Sequence, residues 1–173
     1  ISDIMYKREG KMTVSKEIEF NNIVNDILKN DAFIDLKYEI HHGISRMQHS
    51  LSVAKVTFLV CKKTHIKNYE ETIRAALLHD FFKTNEITSN AFLNHPEVAT
   101  KNAIKYFNID DFQKNIIMSH MFPICKEMPK SKESVIVSLA DKAVAIYECT
   151  KYKVPLQLGA TLLFLFNVIC IQR

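Results

Sequence analysis

Apolar positions recur every three or four residues along most of this chain. Ile18, Phe20, Ile23, Val24, Ile27 and Leu28 form the first such run, the pattern of an amphipathic helix. Ser15 is its predicted N-cap, with Glu17 and Glu19 in the first turn where the helix dipole favours acids. Asn30-Asp31 ends it, and residues 32–40 are predicted as a second, shorter helix. Gly43 interrupts the chain, and Ser45 caps a helix carrying Met47, Leu51, Val53, Ala54, Phe58 and Leu59 as far as Lys63.

Asn68 starts the next helix, with Glu70 and Glu71 early and Ile73, Ala76, Leu77 and Leu78 inside; it delivers His79 and Asp80 at its end. Residues 84–93 read as a loop. Asn94-His95-Pro96 reads as a helix start, since Pro at the first helical position forfeits no hydrogen bond. Val98, Ala99, Ala103, Ile104 and Phe107 follow. Asp110 or Asp111 caps a helix through Phe112, Ile116 and Ile117 that ends near His120, closed by Met121-Phe122-Pro123. Residues 124–132 form a basic loop, and Ser131 or Ser134 opens a helix through Val135, Val137, Leu139, Ala140, Ala143, Val144 and Ile146.

No pair of strand-like runs joined by a turn signal appears. The prediction is therefore all-α: a single compact bundle of seven to eight helices over residues 15–152. Residues 1–14 are read as an N-terminal extension or an expression remnant. Residues 153–173 are read as an apolar C-terminal helix packed on the domain or on a partner. Its stretch from Leu156 to Ile171 is apolar apart from a few positions such as Gln157, Gly159 and Asn167. That falls short of the roughly 20 apolar residues a membrane span needs; a short membrane anchor is the alternative reading.

Length and composition agree with this picture. The 173 residues suit one domain, and three Gly and four Pro leave little material for hairpin turns. The net charge of +4 suits an anionic small molecule and does not call for nucleic acid. Cys61, Cys125, Cys149 and Cys170 show no CxxC spacing. With no secretion signal apparent, free thiols in a reducing cytoplasm are the simplest account. A homodimer is compatible with all of this.

The chemistry concentrates in histidines and aspartates in helical settings. His49 lies inside an amphipathic helix. His79-Asp80 follows Ala-Ala-Leu-Leu, and Asp141 follows Ser-Leu-Ala in an apolar helix. A carboxylate there is costly without a partner. A divalent metal is one such partner, since imidazole and carboxylate are ordinary ligands for iron, manganese, cobalt, nickel or zinc. For each residue alone the bland reading competes: a lone His at a helix rim, or Asp141 paired with Arg46 or capping a local turn.

Three motifs carry a resemblance. R-x-x-H at Arg46–His49, L-L-H-D at Leu77–Asp80 and S-L-A-D-K at Ser138–Lys142 resemble the HD-domain metal-dependent phosphohydrolases over residues 40–150. The resemblance implies a helical bundle that hydrolyses a phosphate ester or anhydride, usually of a nucleotide. It implies metal ligation by His49, His79, Asp80 and Asp141. His95 and His120 fall where a subgroup with two extra histidines has them. That subgroup is similar to the HD-GYP phosphodiesterases and the small bacterial symmetrical diadenosine tetraphosphate hydrolases. Its members can hold two metals, with the HD aspartate bridging, so the resemblance implies one or two ions here. The alternative is that His95 caps a helix and His120 meets substrate phosphate.

Lys83, in H-D-x-x-K, and Arg46 sit where a cation stabilises charge growing on a phosphoryl oxygen. The alternatives are a solvated Lys83 and an Arg46 paired with a ligand carboxylate. Asp80, Lys83 and Arg46 are thus the expected catalytic set. His41 and His42 precede the first motif without an assigned role, and His65 is read as surface. Lys83-Thr84 stands where the alarmone hydrolases carry Glu-Asp, and no Gly-Tyr-Pro follows the HD pair. Both departures argue against those substrates, and the chain is much shorter than the family's triphosphohydrolases. Two other classes compete: an HD fold that binds nucleotide or metal as a sensor without turnover, and a structural helical module.

Overall fold

A computed structural model describes residues 12–41, 43–87 and 91–152. The expectations for residues 1–11, for His42 and for the tail 153–173 lie outside the described residues. Seven α-helices are present among those described: α1 Val14–Leu28, α2 Asp31–Ile34, α3 Arg46–Lys63, α4 Tyr69–Leu78, α5 Ala91–Phe107, α6 Asp111–Ser119 and α7 Lys132–Tyr152. The architecture is all-α, as the apolar periodicity requires.

α4 lies at the centre. Ile73, Ala75, Ala76, Leu77 and Leu78 are completely buried, and a helix apolar on nearly every side belongs inside. It packs on α1, α3, α6 and α7. Around it sit Phe20, Val24 and Ile27 of α1, Phe58 of α3, and Ile116 and Ile117 of α6. Phe20 and Phe58 meet edge to face at 5.7 Å. Each such side chain contributes about 1.5–3 kcal/mol through removal from water. The outward side of α4 is fixed by Arg74, which donates to both oxygens of Asp26 on α1 at 2.6 and 2.7 Å.

The polar signals at helix starts hold in most cases. Ser45 and Gln48 form a reciprocal capping box at the start of α3, and Asp110 and Gln113 another at α6. Such caps satisfy backbone N–H groups that the first turn leaves without partners. Ser131 accepts from Ser134 N at 3.1 Å as α7 begins.

Four local expectations are corrected. α1 starts at Val14, with Thr13 rather than Ser15 at the cap and no side-chain capping bond. The helix predicted over 32–40 resolves into α2, a 3-10 turn Asp35–Tyr38, and the strand β1 Ile40–His41. β1 pairs antiparallel with β2, Ile44–Ser45, across a turn in which Gly43 has φ 92°. Two residues per strand are too few to show alternation, so the hairpin is silent in the sequence. α5 begins at Ala91, which places Pro96 inside the helix rather than at its start. Proline there removes one donor, while the turns beyond it bury Ala99 and Ala103 and keep the helix in place.

No described helix is long and apolar enough to cross a membrane. Cys61, Cys125 and Cys149 are free thiols.

Candidate metal centre

Five elements converge at one end of α4. His49 lies in the second turn of α3, and Arg46 lies one turn before it on the same face. His79 is the C-cap of α4, and Asp80 follows it. His95 comes from α5, His120 is the C-cap of α6, and Asp141 lies midway along α7. All seven residues are buried, none more than 8% exposed as a whole. The structure thus brings together every residue the sequence reading placed at the metal.

The contacts are short. His49 Nε2 lies 3.1 Å from Asp141 Oδ1, and His79 Nε2 lies 3.5 Å from the same oxygen. Asp80 faces two ways. Its Oδ2 is 3.9 Å from His79 Nε2 and 3.7 Å from an Arg46 guanidinium nitrogen. Its Oδ1 is 3.4 Å from His95 Nε2 and 3.7 Å from His120 Nε2. Three triads have ligand atoms close enough to share an ion: His49, His79, Asp80; His79, His120, Asp141; and Asp80, His95, His120.

The local backbone sets which nitrogen faces inward. The last carbonyls of a helix have no intrahelical donor. His79 Nδ1 donates to Ala76 O and His120 Nδ1 to Ile117 O, each at 2.7 Å and each three residues back. A carbonyl only accepts, so both Nδ1 atoms carry hydrogen and both Nε2 atoms are turned to the cluster. The same contact therefore finishes two helices and aims two imidazoles.

These residues fit a divalent cation. His79 Nε2 and Asp80 Oδ1 are buried with no hydrogen-bond partner among the described residues. Orphans of this kind cost about 1–3 kcal/mol each, and cations held by the cluster would satisfy them. Imidazole and carboxylate are the ordinary donors for such an ion.

Protons stand in for positive charge when no cation is bound. Burial pulls His49 down, but hydrogen bonds to Asp141 and Glu148 and the charge of Asp80 raise it to about 10. Burial also opposes charge on His79, and Asp80 and Asp141 outweigh it to raise the group. Burial would raise Asp80, yet the surrounding imidazoles hold it below the usual carboxylate range, and Asp141 is lowered likewise by His49 and His79. His120 goes the other way. Burial and the charge of His79 press it down to about 3, so it stays neutral.

The sign for metal uptake follows. At neutral pH His49 holds a proton that a cation must expel, and His79 is shifted in the same direction, so affinity rises with pH. The expected slope is about one decade of affinity per pH unit or steeper across roughly pH 6–8. Chelator-competition titrations at several pH values measure it. A flat profile would show that these imidazoles are already neutral.

The expected cations part company. Arg46 is 5% exposed, stacks at 3.7 Å on the Phe82 ring, and pairs with Asp80, the carboxylate pairing weighed from the sequence. Lys83 lies apart from the cluster contacts: its ammonium pairs with Asp35 at 2.8 Å at the surface. His65 is exposed, as read.

One buried acid was missed. Glu148, 3% exposed, places Oε2 2.7 Å from His49 Nδ1. The signal was its position seven residues after Asp141, on the same face of α7 as Ala140 and Val144. Lys142, beside Asp141, donates to the carbonyl of His120 at 2.9 Å and so ties α7 to the end of α6.

A family model described as the HD domain matches residues 46–146. The match opens on Arg46, takes in all six clustered His and Asp residues, and closes two residues short of Glu148. Neither curated proteins nor solved structures gave a match.

Proposed function

The chain belongs to the HD-domain family, a superfamily of metal-dependent phosphohydrolases, and we propose that it hydrolyses a phosphate ester or anhydride of a nucleotide or dinucleotide at a two-ion centre. The observation that carries this reading is Asp80. Its two oxygens face different imidazoles, Oδ2 toward His79 and Oδ1 toward His95 and His120. A carboxylate so placed is suited to join two ions. His49 and Asp141 complete the His79 side.

A divalent ion at such a site supplies an activated water and Lewis-acid polarisation of the phosphoryl group. The protein's own part is to hold Nε2 atoms inward, to exclude bulk water, and to set a cation beside the reacting group. Arg46 is that cation: it is buried and held against Phe82, and its Nε has no hydrogen-bond partner among the described residues. Lys83 joins only by leaving Asp35 for the substrate phosphate.

The test is a panel assay. Protein purified without chelator and supplied with Mn²⁺ or Co²⁺ is offered bis(p-nitrophenyl) phosphate, nucleoside monophosphates and dinucleoside polyphosphates. Release of nitrophenol or of a nucleotide product is the expected result. Metal-loaded protein that binds nucleotides tightly and turns none over would replace the enzyme with a sensor.

A further inference from the structure

His79 and His120 fix their tautomers with carbonyls at the ends of their own helices. His49 has no such recourse. It lies in the second turn of the 18-residue helix α3, where carbonyls are occupied by the regular bonds to residues four further on. The acceptor its Nδ1–H meets comes from another element, α7. Glu148 lies two turns beyond Asp141 on that helix, about 10 Å along the axis. The imidazole of His49 sits between these acids, with Nδ1 at 2.7 Å from Glu148 and Nε2 at 3.1 Å from Asp141.

Glu148 also needs its own explanation. A carboxylate at 3% exposure is expensive unless it is engaged in a strong polar contact. Its contact with His49 spans 99 residues of sequence, so it is no by-product of local helix geometry.

We propose that Glu148 is a positioning residue of the metal centre: by accepting the Nδ1 proton of His49 it turns Nε2 toward the ion and strengthens that nitrogen as a donor. The inference rests on the metal-centre reading above. A charged acceptor on the far nitrogen of a ligand histidine orients the ring and raises its basicity. Among the three imidazoles whose Nδ1 partner is known, His49 is the one with a carboxylate partner, and that partner lies outside the span matched by the family model.

Zinc is the probe, and the full chain is used. Its dissociation constant is measured by competition with a chromophoric chelator for wild type, Glu148→Gln and Glu148→Ala. The nitrogen resonances of His49 are read in zinc-loaded wild type. Glu148→Ala is expected to weaken zinc binding by about 10–100-fold. Glu148→Gln keeps an oxygen at the same reach and is expected to fall between the two. His49 should carry its proton at Nδ1 and meet zinc through Nε2.

An alanine variant that binds as tightly as wild type overturns the proposal, as does a zinc-loaded wild type with the His49 proton on Nε2. A glutamine variant no better than alanine overturns it too. Should the alanine variant fail to fold, the glutamine variant and the nitrogen signals still decide. Wild-type protein that takes up no zinc overturns both this inference and the metal-centre reading. Zinc-binding wild type with an indifferent alanine variant overturns the role of Glu148 alone.

Discussion

Asp80→Asn is expected to lower metal-dependent hydrolysis by about 10³-fold or more. The substitution preserves shape and removes one negative charge. That charge faces three imidazoles, through Oδ1 toward His95 and His120 and through Oδ2 toward His79. Metal content should fall with activity, since amides are poor ligands beside carboxylates, and elemental analysis of the purified variant measures this. The variant also leaves Arg46 buried with a neutral neighbour. Removing one partner of a buried pair costs about 3–5 kcal/mol in typical cases, so circular dichroism must first show that the variant is folded. A folded variant with undiminished activity would end the enzyme assignment.

Metal is expected to raise the melting temperature strongly. A ligand that binds only the folded state stabilises it by about 4 kcal/mol at a concentration near 1,000 times its Kd. For a domain of this size that corresponds to roughly 8–16 °C in Tm. The mechanism is specific. Buried His79 Nε2 and Asp80 Oδ1 lack partners among the described residues, and metal bound in the cluster would relieve them while bridging helices distant in sequence. Differential scanning fluorimetry with and without chelator checks it. A melting temperature indifferent to both metal and chelator would mean that the cluster holds no ion.

Much of this was legible in the residues, for definite reasons. The long helices announce themselves through apolar periodicity, and Ser45 and Asp110 through cap chemistry. The six His and Asp residues were legible because buried polar groups require partners and three motifs carried a family pattern. Their distances were not legible, because they depend on how α3, α5, α6 and α7 pack around α4. The hairpin at Gly43 was hidden by its two-residue strands. Pro96 misled because proline is most at home in a first turn, yet α5 begins at Ala91. Lys83 looked catalytic by its place in the sequence, but its pairing with Asp35 depends on the fold of residues 35–38. Glu148 was overlooked because one acid in a helix of ordinary composition stands out only once its face is known to carry Asp141.

The two imidazoles that finish α4 and α6 have a kinetic consequence. His79 and His120 each clamp the terminal turn that precedes them while presenting the other nitrogen to the cluster. Fraying of either turn swings a donor away, and a bound ion in return resists that fraying. How long an ion resides would then be governed by how often two helix ends open, a rate that substitutions in their final turns, such as at Ala76 or Ile117, can tune without altering a single coordinating atom.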